Sequence, residues 1–529
     1  MSFKLLQIFL ILSLLYPLPI ATAEGIIPPQ NYAVQIRSFQ FVGNSAVTDR
    51  ELTALLKDYT GRNVTVDKIY EAKKLITQLY VARGYVNSGA VLPDQDISGG
   101  VVTFQIVEGR LSNVIVDDES RFHPAYIEGR IKKYAGRPLH FPSLQLPLYF
   151  LHADPSIHRV NAELQPTDQV GYGAVSLKLE ETNPVFVSFG ISNHKSPTVG
   201  DLHRYVNMEL RNLTGWNEVT SINYGNTNGL RDYGLSFAIP VNYHDTKLIL
   251  SYQDSSSTII NDIFKDLDID SESRQVDMGF RHPLYRTYDS ELALSLKLVL
   301  KRNETTLLNY PYQYTAELDD GISRRTILSF GQEWIKRSSK QAFTARSTFD
   351  ISTPWLGATV VNHPADGEFT SWLGQIQWLR RLPFLHSQLL VKTNLRLTDD
   401  EVPPSEKFAV GGYSTVRGYR ENELTGDQGF SSSVELQMVM TNFKCPGLSD
   451  GPEDGDFYLI PFFDFGKVWN KTFDIHNTDI ASVGLGIRWI PKKNSRIELF
   501  WGHALRELSQ YDEYSLQDDG IHFNINLSF

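Results

Sequence analysis

The chain ends Gly520-Ile521-His522-Phe523-Asn524-Ile525-Asn526-Leu527-Ser528-Phe529. In an extended strand successive side chains point to opposite faces. Ile521, Phe523, Ile525, Leu527 and Phe529 therefore share one face, and His522, Asn524, Asn526 and Ser528 share the other. A strand greasy on one side and polar on the other suits a half-buried sheet in water, or a sheet with hydrocarbon outside and water inside. The residues upstream decide between the two.

The same alternation recurs toward the N-terminus. Leu292, Leu294, Leu296, Leu298 and Leu300 alternate with Ala293, Ser295, Lys297 and Val299. Leu389, Val391, Thr393, Leu395 and Leu397 alternate with Leu390, Lys392, Asn394 and Arg396. Sixteen such segments begin near Val185, Leu202, Trp216, Leu230, Thr246, Arg274, Glu291, Gly321, Gln341, Phe369, Gln388, Gly429, Phe457, Ala481, Arg496 and Gly520. Their number is even, and each is about ten residues long, enough to cross a bilayer when tilted. Long connections (253–273, 302–320, 353–367, 398–428, 504–519) follow odd strands. Short ones (213–215, 242–245, 337–340, 491–495) follow even strands. Short periplasmic turns and long external loops are the habit of outer-membrane barrels. Hydrocarbon offers an edge strand no hydrogen-bond partner, so the sheet must close on itself. Trp216, Trp334, Trp372, Trp378, Trp489 and Trp501 fall within or at the ends of strands, as interface girdles require. The expected fold is thus an all-β, 16-stranded antiparallel transmembrane β-barrel over residues 184–529.

The totals agree. The chain has 529 residues with 41% hydrophobic content, and its mean hydropathy is −0.25. No internal run of 18 apolar residues offers a transmembrane helix. The net charge of −11 without a Lys/Arg block argues against nucleic acid as a partner. The single cysteine, Cys445, allows no intrachain disulfide. Lys4, the apolar stretch Leu5 to Leu15 and the Ala21-Thr22-Ala23 cleavage site make residues 1–23 a signal peptide, followed by a short linker over 24–33.

Residues 34–110 and 111–183 read as two small α+β modules of one element order, β-α-α-β-β. In the first, Val34 to Val42 is a strand, Thr48 or Asp49 caps a helix, and Thr65 caps a second helix that Gly84 ends. Strands at Tyr85 to Leu92 and Val101 to Val107 follow. In the second, strands at Leu111 to Val116, Ile157 to Leu164 and Ala174 to Leu179 flank helices near Tyr126 to Tyr134 and Leu144 to Leu151. Pro147 lies inside the last helix, where it removes a donor.

No HExxH, GxSxG, phosphate loop or CxxC is present, so neither an enzyme, a metal site nor a cofactor is expected. Two segments do stand out. Val416-Arg417-Gly418-Tyr419 lies in the long loop 398–428, which Gly426-Asp427-Gln428-Gly429 closes. Phe462-Phe463-Asp464-Phe465-Gly466 lies on strand thirteen, where an acid is far cheaper facing the lumen than lipid, which sends Phe463 and Phe465 outward. These segments resemble the VRGY/F loop signature and the F-x-D-x-G strand motif (Phe462, Asp464, Gly466) of the two-partner secretion transporters, the TpsB type. These are the ShlB/FhaC/HecB-like haemolysin secretion/activation proteins, and the two N-terminal modules resemble their POTRA domains.

That resemblance implies an outer-membrane translocator, with POTRA domains in the periplasm, that secretes and helps activate a large partner exoprotein such as a haemolysin or adhesin. It implies that the loop folds back into the barrel and that Arg417 meets Asp464 in a salt bridge. The other expected partners are outer-membrane lipid and the barrel-assembly machinery, through the last strand ending at Phe529. Only Glu24 to Asn31, with Pro28-Pro29, precedes the first strand. That is too short for the plug helix of the filamentous haemagglutinin transporter, so the Arg417 loop is expected to be the main obstruction and the pore to conduct at rest. The competing readings are an outer-membrane protein insertase, which shares barrel, loop signature and POTRA modules, and a passive porin or uptake channel, which needs no such modules.

Overall fold

In the computed structural model, residues 33–312, 321–359, 368–384, 386–449, 451, 454–472, 478–508 and 513–529 are described. The signal peptide and nearly all of the linker lie outside them. The chain divides into two compact units, residues 1–183 with 214–216, and 184–213 with 217–529.

The first unit holds two sheets of like topology. In one, β2 (Ser38–Val42) runs parallel to the central β5 (Val101–Val107), with β4 (Gly89–Val91) antiparallel on its other side. In the other, β6 (Arg110–Val116) runs parallel to the central β8 (Tyr172–Glu181), with β7 (Ile157–Pro166) beside it. Helices α1 (Asp49–Leu55) and α2 (Val66–Ala82) cover the first sheet, while α3 (Pro124–Tyr134) and α4 (Phe141–His152) cover the second.

Thr48 is the cap of α1, closed reciprocally by Glu51 as a capping box. Thr65 sits at the cap position of α2, but its side chain makes no cap bond. The strand expected over Val34 to Val42 is broken in two: β1 (Ala33–Gln35) pairs with β3 (Asn63–Thr65), and the chain then changes partner. The break comes where Arg37 N–H donates to the Gly100 carbonyl at 2.6 Å. Tyr85 belongs to no strand. Its N–H caps α2 through the Tyr80 carbonyl, 2.9 Å away, and its ring packs on Tyr80. Pro147 is accommodated within α4, buried with Leu144, Phe150 and Leu151 against the sheet.

Glu108 ties the first module together. Its carboxylate accepts from the N–H of Ser45 (2.6 Å), the N–H of Ala46 (2.7 Å), the Ser45 hydroxyl and the Tyr80 hydroxyl (3.0 Å). Burial pushes its pKa up, but these donors outweigh burial and hold it below the usual value. A depressed folded pKa contributes stability that is complete above the ordinary carboxylate range and lost as pH falls through the lowered value. Glu108→Gln is expected to loosen this module by about 1 kcal/mol, the site being half-open to water. The full-length protein should then be nicked faster within residues 34–109 at neutral pH, whereas wild type becomes equally sensitive only in acid. Equal cleavage rates at neutral pH would refute the role.

The second unit is a closed barrel. Its sixteen long strands are, in order, Val185–Ser192, His203–Arg211, Val219–Asn226, Leu230–Pro240, Lys247–Thr258, Ile269–Arg286, Ser290–Leu307, Ile322–Arg337, Gln341–Thr353, Thr370–Arg381, Ser387–Thr398, Gln428–Asn442, Asp456–Trp469, Asp479–Ile490, Arg496–Ala504 and Ile521–Ser528. Each pairs antiparallel with its neighbours, and a two-residue bridge, Tyr310–Pro311, is added after strand 7. Closure joins strand 16 to strand 1, with Asn524 opposite Ser192 and Ser528 opposite Ser188. Phe529 N–H extends the seam to the Val187 carbonyl at 2.8 Å.

The alternation sorts the wall. Leu235, Tyr252, Met278, Phe463, Leu485 and Trp501 point outward and are exposed, while Asp464, Ser482, Glu498 and His522 point inward and are buried. Among the described residues no helix is long and apolar enough to cross a membrane. Strands 6 and 7 have 18 residues each, so the connection read as 253–273 narrows to 259–268. Two connections depart from the expected rhythm: Thr227–Gly229 after strand 3 is short, and 443–455 after strand 12 is long. Trp216 stands in the turn before strand 3 rather than in a strand, because Asn212 and Asn217 take positive φ there and hold the turn with an Asn217 N–H to Asn212 Oδ1 bond.

Candidate functional site

The connection between strands 11 and 12 does not stay outside. Phe408–Val410 pairs with Leu424–Gly426 to make a short stem, and the residues between them form a tip inside the barrel. Gly411 (φ 113°) and Gly412 (φ 89°) turn the chain, a conformation that side chains resist. Gly412 N–H then bonds the Val416 carbonyl at 3.0 Å. The turn delivers Arg417 to the wall.

Arg417 is 3% exposed. Its guanidinium makes a two-pronged contact with Asp464, Nε to Oδ2 at 2.8 Å and Nη2 to Oδ1 at 2.9 Å, and its backbone N–H donates to the same carboxylate at 3.1 Å. Nη1 reaches Glu435 at 2.8 Å, and Nη2 also donates to the Ser433 hydroxyl at 3.1 Å. The Phe462 ring lies 3.7 Å and the Phe500 ring 4.7 Å from the guanidinium carbon, so the cation is also held by aromatic faces. One cation thus meets two acids, and the fork geometry is one that lysine cannot reproduce.

The flanking residues seat the tip. Gly418 N–H donates to His522 Nε2 at 3.1 Å on strand 16. The Tyr419 hydroxyl donates toward the carbonyls of Ala481 (3.0 Å) and Arg506 (2.9 Å). Val410, Val416 and Tyr419 pack with Val468 and Ile480. The motif glycine Gly466 leaves room for that packing, since a Cβ there would stand 2.8 Å from Val416 Cγ2 and 2.9 Å from Val410 Cβ. Arg420 pairs with Asp518 and Glu421 N–H bonds Gln517, which ties the tip to the last surface loop. Tyr413 stacks on His194 at 3.7 Å between ring centres and bonds Glu498, itself paired with Arg488.

The structure brings Val416, Arg417, Gly418 and Tyr419 together with Phe462, Asp464 and Gly466. The sequence reading missed Ser433, Glu435, Phe500, Gly502 and His522. Of these, Glu435 carried a signal, being an acid at a lumen-facing position of strand 12. The others had none, because their place depends on register between distant strands.

A closed barrel that takes its own loop onto its inner wall, in one chain with two α+β modules whose central strand runs parallel to one neighbour and antiparallel to the other, defines an outer-membrane transporter with POTRA domains. Residues 34–109 match the POTRA domain of ShlB type. Residues 171–489 match the haemolysin secretion/activation protein family ShlB/FhaC/HecB, and the chain belongs to that family. The outer membrane transporter CdiB of Dickeya dadantii is 24% identical over 423 residues, 74% of this chain and 70% of that protein. The heme/hemopexin transporter protein HuxB of Haemophilus influenzae strain 86-028NP is 21% identical over 471 residues, 84% and 78% of the two chains. The structure of CdiB from Escherichia coli overlays with a TM-score of 0.66 at 20% identity, covering 97% of this chain and 94% of that one. The protein is thus an outer-membrane transporter of the TpsB type, its POTRA domains in the periplasm.

Proposed function

We propose that this transporter threads one unfolded exoprotein through its lumen, without catalysis of its own, and that the loop latch at Arg417 is part of the export machinery. The observation that carries the reading is the seat of Arg417 on Asp464 and Glu435 inside the barrel. In the second module the order β6-β8-β7 leaves one long side of β7 as an edge, where an unfolded chain can add as a further strand. No nucleotide-binding loop is present, so folding of the cargo outside supplies the direction. The apolar outer band meets outer-membrane lipid, and the strand ending at Phe529 is the element offered to the barrel-assembly machinery.

Deletion of the gene tests this. The expected result is loss of one large exoprotein from the medium or surface, restored by complementation, with other outer-membrane barrels at normal levels. A general fall in barrel proteins supports the insertase reading instead, and no missing exoprotein sinks the export reading.

A further inference from the structure

While the segment leading into it is held on strands 7 and 8, where Lys301 Nζ donates to Glu406 at 2.7 Å and Val402 packs with Val299 and Ile327, the loop tip presses on one side of the lumen. Its described bonds run to strands 12, 13, 14 and 16 through Glu435, Asp464, Ala481 and His522, and to strand 15 through Glu498. Carrying the register round the barrel from Asp464 gives the inner face of every strand. Next to an apolar row toward the short turns (Val219, Ala238, Ile249 and Gly279), that face carries on strands 3 to 6 two polar cross-strand rows. One is Ser221, Ser236 and Ser251, ending opposite Asp277. The other is Asn223, Gly234, Gln253 and Gln275. The alternate residues, among them Leu235, Tyr252 and Met278, are the exposed outer band. Asn223 and Gln253 are exposed although they face inward, so they border open space. The one acid of these rows is engaged at home: Asp277 accepts from the Ser251 hydroxyl at 2.9 Å and the Gln275 amide at 2.8 Å.

From this the geometry points to a standing conduit along strands 3 to 6, open while Arg417 is latched and suited to an extended polypeptide. Short hydroxyls and amides in the two polar rows offer such a chain brief, weak hydrogen bonds to its backbone. A sixteen-stranded wall is wide enough to keep a water channel beside the seated loop. The latch thus acts as a hook that clears the path, and the loop obstructs the lumen when unhooked. The inference rests on the export reading for the identity of the passenger, and on the geometry alone for the open path.

The test uses the full-length protein in planar bilayers, in a Cys445→Ser background. With Gln253→Cys, a cationic methanethiosulfonate reagent is expected to cut the current roughly twofold, while Ser482→Cys, on strand 14 and fully buried, does not respond. Arg417→Ala is expected to lower and destabilise the resting current, whereas removing tip residues 411–423 raises it. An unreactive Gln253→Cys, or a steady current in Arg417→Ala above that of wild type, overturns the inference, because the loop would then be a plug. On cells, the same modification at Gln253→Cys should slow release of the exoprotein identified by gene deletion. Normal release from modified cells overturns the conduit as its path and leaves the export reading standing. If deletion strands no exoprotein, the export reading falls and the current measurements still decide the conduit.

Discussion

Arg417→Ala is expected to leave an assembled, membrane-inserted barrel and to cut export at least about tenfold, with the loop displaced from the wall. The barrel survives because its closure depends on the backbone ladder of sixteen strands and on the seam at Phe529, none of which involves Arg417. The loop does not survive, because removing the cation leaves Asp464 and Glu435 buried without the guanidinium they share. Breaking a buried pair from one side costs about 3–5 kcal/mol, and each 1.4 kcal/mol is about tenfold in an equilibrium. The seated fraction should therefore fall by about 100-fold or more. Arg417→Lys should recover little, since an ammonium cannot make the fork to Asp464 while still reaching Glu435 and Ser433. Heat-modifiability on gels reports the barrel, protease access to residues 411–423 reports the loop, and the exoprotein in the medium reports export. Wild-type export by Arg417→Ala would remove the latch from the mechanism.

The barrel was legible because lipid outside and water inside impose one rule on every strand. Ile521 to Phe529 obeys it at the end of the chain and Leu292 to Leu300 in the middle, so the segments could be counted before any partner was known. Aromatic position was less legible: Trp216 satisfied the periodicity but sits in a turn set by the positive φ of Asn212 and Asn217. In the first POTRA module the break between β1 and β2 was hidden, because Val34 to Val42 is continuous in pattern and the change of partner is decided by Gly100 across the sheet. At the site, Asp464 announced itself as an acid on a membrane strand. Phe500 and His522 did not, because each is ordinary within its own strand. They matter only through pairings that align strands 12 to 16 about one guanidinium.

Gly502→Ala is expected to damage export as severely as Arg417→Ala while changing no charge. Gly502 lies on strand 15 facing the loop tip, and a Cβ there would stand 2.8 Å from the Arg417 carbonyl carbon and oxygen and 2.8 Å from Gly418 N. All three contacts are backbone, so no side-chain rotation relieves them. Gly418 is itself fixed at φ 95°, its own Cβ position 2.9 Å from the Gly502 carbonyl oxygen. The tip must lift, which pulls Arg417 out of a fork that tolerates little displacement. Overpacking of this kind costs about 1–3 kcal/mol when the surroundings can adjust; here it also forfeits part of the buried ion pair, which places the effect at the upper end or beyond. If Gly502→Ala exports normally with Arg417 still protected from solvent, close seating of the tip is not needed and charge pairing alone holds the loop. If it loses export with the barrel intact, the two glycine contacts and the ion pair act as one seat, and a double variant with Arg417→Ala should be no worse than either alone.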